Sequence, residues 1–246
     1  MIEANIAMAV CLLAAVHIFA GSKILAKIRP SYCKSFGAGV GTAYAFLVLL
    51  PKLASSQHVL EAYTASGIFG FLIHHSYIVA LLGLIIYYGF DQAAESLLLR
   101  PHIRIKRPLV LAVVYANAIG FAGYYMLAGY LVSESFDYST LSLFLFTIAM
   151  LLHFLSHDHS IIQKFPGLYD RVLRWVFAVA TILGWVLAKI TEVYDITLAL
   201  WLSFFTGSLI VITIREKIPK PGSGSFWLYV IGALGYAVLL ILVDIF

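Results

Sequence analysis

Phe36-Gly37-Ala38-Gly39 leads through an apolar run to Pro51-Lys52, and Phe205-Thr206-Gly207 leads through another to Pro219-Lys220. In both, twelve positions separate the last glycine from the proline (39 to 51, 207 to 219). A hydrophobic segment that opens on glycine and closes on Pro-Lys, once in each half of the chain, predicts an internal duplication. Two copies that cross a membrane in opposite directions form the inverted repeat of a secondary transporter.

Composition fixes the environment. Of the 246 residues 62% are hydrophobic and 11% charged, with a mean hydropathy of +0.97, far from a soluble domain. At about 20 residues per crossing, the chain divides into eight apolar segments near 4–22, 36–55, 67–90, 108–132, 139–163, 172–191, 196–214 and 226–246. No segment alternates with period two, which argues against an outer-membrane barrel. The expectation is an all-α membrane protein, a helical bundle in lipid. Glu3 and Asn5 follow Met1 without a basic leader, so the first segment reads as a retained span and not a cleaved signal.

Charge orients the spans. Lys23, Lys27, Arg29 and Lys34 lie between spans one and two, and Arg100, Arg104, Lys106 and Arg107 between three and four. Lys164, Arg171 and Arg174 lie between five and six, and Arg215, Lys217 and Lys220 between seven and eight. Fourteen of the sixteen basic residues therefore share one side, with Lys52 and Lys189 on the other. The positive-inside rule puts those loops in the cytoplasm and both termini outside. Span two then runs outward to Pro51 and span seven inward to Pro219, so the copies are antiparallel. Repeat one occupies 1–91, two central helices 108–164 and repeat two 171–246, a 3+2+3 arrangement. Topology accounts for the net charge of +4, and nucleic-acid binding is a poor reading.

Phe36 to Pro51 resembles the second helix of the ZIP (Zrt/Irt-like) divalent-metal transporters, small-Gly-apolar with a Leu-Leu-Pro end. Phe205 to Pro219 resembles the family's seventh helix, including its Glu-x-x-Pro ending at Glu216 to Pro219. The resemblance implies a ZIP-like fold across nearly the whole chain and a divalent metal cation, zinc-like, as cargo. The family's fifth helix carries a pattern similar to His-x-x-Pro-His-Glu, and here it reads His153-Phe154-Leu155-Ser156-His157-Asp158. His153 and His157 are four apart and share a helical face, able to present two imidazole nitrogens to one cation. Asp158 is able to add a hard oxygen, either to that ion or to a neighbouring one. The family's His-Asn-x-x-Glu/Asp-Gly pattern of the fourth helix is reduced here to Ala116-Asn117-Ala118-Ile119-Gly120, and only Asn117 is kept. Val48 stands where the second helix often carries a polar residue.

The expected metal-contacting residues are thus His153, His157, Asp158 and Asn117, in a polar pocket among spans two, four, five and seven. Thr42, Tyr44 and Glu192 are secondary contributors. His74 and His75 read as structural or interfacial and Lys189 as snorkelling to the outer face. Cys11 and Cys33 form no disulfide framework. No cofactor is expected to be tightly bound, and the divalent ion is cargo. The expected partners are the lipid bilayer and a divalent cation or other small solute, with a homodimer left open, and the expected location is an inner or plasma membrane. Without a P-loop, transport runs down a gradient or on ion coupling. Two other functions compete. An intramembrane zinc hydrolase using His153, His157 and Asp158 lacks a third strong ligand. A ZIP-fold relative that has lost metal transport and binds another solute or partner is favoured by the missing fourth-helix ligands.

Overall fold

In the computed structural model, described over residues 2–22, 30–62, 70, 75–99, 107–134, 140–191, 193–212 and 225–243, regular structure is entirely helical. Helix α1 is Ile2–Phe19. Helix α2 runs Pro30–Tyr44, passes through a π-helical turn Ala45–Leu49 and continues as Leu50–Glu61. Helix α3 is Ser76–Leu99, α4 Arg107–Glu134 and α5 Thr140–Lys164. Helix α6 starts at Pro166–Leu168, passes through a second π-helical turn Tyr169–Leu173 and ends as Arg174–Ile190. Helix α7 is Asp195–Ile212 and α8 Phe226–Val243. Pro30, Pro108 and Pro166 sit at or next to the first residue of their helices, where a missing N–H costs nothing.

Among the described residues, four stretches are long and apolar enough to cross a membrane: Ile2–Phe19, Ser35–Glu61, Ser76–Ala93 and Tyr169–Ile190. Shorter apolar helices cover Asp195–Ile210 and Phe226–Ile241. Large apolar side chains such as Leu81, Ile85, Leu183, Leu234 and Ile241 are exposed, an outer surface that suits hydrocarbon better than water. In lipid every backbone polar group must be bonded internally, which is why such a chain is helical nearly throughout.

Two boundaries differ from the sequence reading. Pro51 does not end α2. Proline cannot donate to the carbonyl four residues back, at Leu47, and its ring crowds that oxygen. The π turn just before it takes up the extra residue, with the Leu50 N–H bonded to the Ala45 carbonyl. The helix therefore carries on to Glu61, where its last turns serve α3: Gln57 Oε1 accepts from the Ser76 N–H (2.7 Å) and hydroxyl (2.9 Å). Helix α3 also runs on to Leu99 rather than stopping near 90. His74 lies outside the described residues, and His75 is exposed.

The chain divides into two compact units. The first comprises Met1–Pro51, Tyr125–Glu192 and Ile212–Phe246. In it α8 packs along α2, α1 lies against both α5 and α6, and α5 also touches α2 and α8. Its core is aromatic, with Tyr125, Phe154, Tyr169 and Phe177 fully buried beside Ile6 and Leu13. Glu3 on α1 and Lys189 on α6 meet at 2.7 Å, which brings the start of one helix and the end of the other to the same end of the unit. The second unit comprises Lys52–Tyr124 and Val193–Val211. In it Phe121 of α4 meets the Tyr87 ring of α3 edge-on at 5.2 Å, and Tyr124 lies 6.1 Å from the Phe205 ring of α7.

Each unit contains a helix crossing built on facing glycines. In the first, a Cβ on Gly39 of α2 would overlap the Tyr229 carbonyl of α8, and one on Gly232 would overlap the Phe36 carbonyl. In the second, a Cβ on Gly207 of α7 would overlap the Ala80 carbonyl of α3, and one on Gly83 the Phe204 carbonyl. The registers coincide residue for residue. Gly39 and Gly207 are 168 positions apart, as are Phe36 and Phe204; Gly83 and Gly232 are 149 apart, as are Ala80 and Tyr229. Only glycine lets two backbones approach so closely, and in lipid such packing stands in for the hydrophobic drive that water would supply. A third reciprocal pair, Gly129 of α4 and Gly184 of α6, packs against the Thr181 and Met126 carbonyls in the first unit.

Candidate functional site

Three buried side chains of the first unit, His17, Tyr125 and Tyr169, gather on one residue. Asp158, near the C-terminal end of α5, is fully buried and accepts from three helices. Its Oδ2 takes His17 Nδ1 of α1 at 2.6 Å and the Tyr169 hydroxyl of α6 at 2.7 Å. Its Oδ1 takes the Tyr125 hydroxyl of α4 at 3.0 Å. Tyr125 Oη also lies 2.6 Å from His157 Nδ1, and the Tyr169 hydroxyl reaches the His17 carbonyl at 2.8 Å. A buried carboxylate without partners costs several kcal/mol, so this degree of engagement is what burial at such a depth demands.

Local structure explains the convergence. Tyr169 opens the π turn of α6 and is fully buried. π turns of this kind recur at functional sites. His17 sits in the last turn of α1 within an aromatic box: stacked on Phe154 at 5.1 Å, edge-on to Tyr125 at 4.2 Å and to Phe177 at 5.8 Å. Its Nε2 is buried with no hydrogen-bond partner among the described residues.

Of the residues expected from sequence, His153, His157 and Asp158 are all buried in the first unit. His153 lies against the Tyr44 ring, with centroids 5.4 Å apart. Tyr44 is the residue immediately before the π turn of α2. Thr42 instead bonds its own helix, its hydroxyl donating to the Ala38 carbonyl at 2.9 Å. Glu192 lies outside the described residues. Lys189 pairs with Glu3. Asn117 belongs to the second unit, where it shares a face of α4 with Phe121 and Tyr124 at i+4 and i+7, and its Oδ1 is buried with no partner among the described residues. Among the described residues, no three His, Cys, Asp or Glu side chains converge closely enough to hold one ion.

His17, Tyr125 and Tyr169 escaped the sequence reading. A histidine inside an apolar span was the available signal for the first, because intramembrane polar groups face the bundle interior. Tyr169 carried none, since tyrosine beside a span end reads equally well as an interfacial anchor, and Tyr125 stands within the fourth apolar segment between Tyr124 and Tyr130 with nothing to single it out. No family model matches this chain, and no curated protein matches it in sequence.

Proposed function

We propose that the chain is an integral membrane transporter of ZIP-like architecture in an inner or plasma membrane, and that its cargo is a divalent, zinc-like metal cation. In this reading eight spans form a 3+2+3 inverted repeat with both termini outside. The observation that carries it is the twinned glycine crossing. Under the repeat, α2 corresponds to α7 and α8 to α3, and those are the two pairs that share a register. Inverted repeats of this kind belong to secondary transporters. The Glu3–Lys189 pair supports the topology, since both positions fall outside in it.

The cargo assignment rests on α5. His153 and His157 are buried on one face, and imidazole nitrogens suit zinc and its neighbours. A second reading, a ZIP-fold relative that has lost metal transport and carries another small solute, is favoured by one observation: Asp158 spends both oxygens on three hydrogen-bond donors. Enzymatic hydrolysis fits less well, since a zinc hydrolase needs a third strong protein ligand beside an activated water.

Uptake into liposomes loaded with a metal-sensitive dye decides between the readings. Saturable entry of Zn, Cd, Fe(II), Mn or Co that is abolished in the His153→Ala/His157→Ala double variant is the expected result. A folded protein that moves none of these ions turns the assignment to the non-metal derivative.

A further inference from the structure

Helix α6 turns one continuous apolar stripe outward. Val176, Val179, Leu183, Val186 and Ile190 recur every three or four residues, and all are exposed. Trp175, four residues before Val179, is exposed as well and brings the stripe to the N-terminal end of the helix. Two arginines stand there, Arg171 exposed and Arg174 half-buried. The guanidinium carbon of Arg174 lies 5.2 Å from the Trp175 ring centroid, a cation–π arrangement that holds the charge beside the stripe.

Neither charge is spent within the protein. Among the described residues the ion pairs are His17–Asp158, His58–Glu61 and Glu3–Lys189, and neither arginine takes part. Arg174 Nε is buried with no hydrogen-bond partner among those residues. Asp170 is the nearest acid in sequence, but its Oδ1 lies just past the end of α1, 3.2 Å from where a Cβ on Gly21 would stand. An arginine that serves only the positive-inside bias extends into water, and Arg171 alone would fit that account. Arg174 is held back against a ring at the membrane boundary.

We propose that Arg171, Arg174 and Trp175 bind the headgroup phosphate of one anionic phospholipid, whose acyl chains lie along the α6 stripe. Its placement in the inner leaflet rests on the topology proposed above; the headgroup chemistry does not. A guanidinium is permanently charged, and its planar fork matches two phosphate oxygens. Tryptophan settles at the headgroup level of a bilayer. From Arg174 to Ile190 the helix rises about 24 Å, ample for the chains of one leaflet, half of a hydrocarbon core of about 30 Å. Two uncompensated positive charges favour a headgroup of net negative charge. Phosphatidylcholine brings an ammonium of its own to the same place and is disfavoured.

The test is native mass spectrometry of the full-length protein in a neutral detergent, titrated separately with phosphatidylglycerol, phosphatidylcholine and inorganic phosphate. Saturable binding of phosphatidylglycerol is expected, with phosphatidylcholine and free phosphate far weaker. Arg174→Gln should weaken it about tenfold or more, and Arg171→Gln about fivefold. Arg174→Lys keeps the charge without the fork and should fall between wild type and Arg174→Gln. Lys217→Gln, in another basic loop, should leave binding unchanged. Lipid-free unfolding midpoints of the variants should match the wild type, because the altered side chains hold no partner. Equal binding of the two lipids overturns the proposal, as does binding that survives the Arg171→Gln/Arg174→Gln double variant or falls equally with Lys217→Gln. Free phosphate that binds as tightly as the lipid overturns the acyl-chain track. Detergent has no sides, so these outcomes stand apart from the topology and from the cargo. Sidedness is read from Gly167→Cys on a Cys11→Ser/Cys33→Ser background: labelling from outside right-side-out vesicles overturns the inner-leaflet placement together with the topology.

Discussion

The α2/α8 crossing of the first unit and the α3/α7 crossing of the second are built alike, yet what surrounds them is not. Both place a glycine against the carbonyl three residues before the facing glycine, in the same register. In the first unit α5 lies against both members of the pair, and the unit also holds the His17–Asp158–Tyr125–Tyr169 cluster. In the second, the residue beside the crossing glycine is Thr206, a buried hydroxyl whose Oγ1 has no partner among the described residues. The crossing is scaffold, reusable because it asks only for small residues and close backbones. The cluster around Asp158 belongs to the first unit, where donors from three other helices meet one carboxylate.

The largest break in that comparison should come from Asp158→Ala. It strands His17 Nδ1 in the buried core and leaves the Tyr125 and Tyr169 hydroxyls only their contacts to His157 Nδ1 and the His17 carbonyl, and removal of one partner from a buried pair costs about 3–5 kcal/mol. The expected outcome is a strongly lowered midpoint of thermal unfolding in detergent; a shift no larger than that of a surface substitution would mean the cluster is not what holds the four helices together.

Gly39→Ala and Gly207→Ala sharpen the twin relation. Each forces a Cβ into a backbone carbonyl that cannot move alone, with an overpacking cost of about 1–3 kcal/mol. The two losses should match within experimental error when unfolding is followed side by side. A large loss at one glycine and none at the other would show that the shared register does not carry shared energetics.

The smallest effect belongs to Glu3→Gln. The Glu3–Lys189 pair is largely exposed, and exposed ion pairs contribute under about 1 kcal/mol. Stability should be nearly unchanged, while a cysteine at position 3 should react with an impermeant thiol reagent added outside right-side-out vesicles. Labelling only from the inside would reverse the proposed topology.

Much of the frame was legible. Apolar runs gave the helices, and the glycine–proline spacing marked the pair of helices whose crossings later proved to share a register. The i, i+4 spacing singled out His153 and His157, and adjacency added Asp158. The continuation of α2 beyond Pro51 was not legible, because a π turn is a local compromise with no strong residue signature. The partners of Asp158 were equally hidden. His17 lies 141 positions from Asp158, and Tyr169 lies 152 from the His17 carbonyl it bonds.

The sequence by itself determined that this chain is helical and apolar, that its two halves repeat a glycine motif, and that α5 carries paired histidines. These are properties of composition and spacing, and the period of the α-helix converts spacing into a face without any knowledge of neighbours. Only the tertiary structure decided that Asp158 spends its oxygens on His17, Tyr125 and Tyr169. Which of many intramembrane polar residues meet depends on the crossing of separate helices, and a buried carboxylate accepts whichever donors that packing brings within reach.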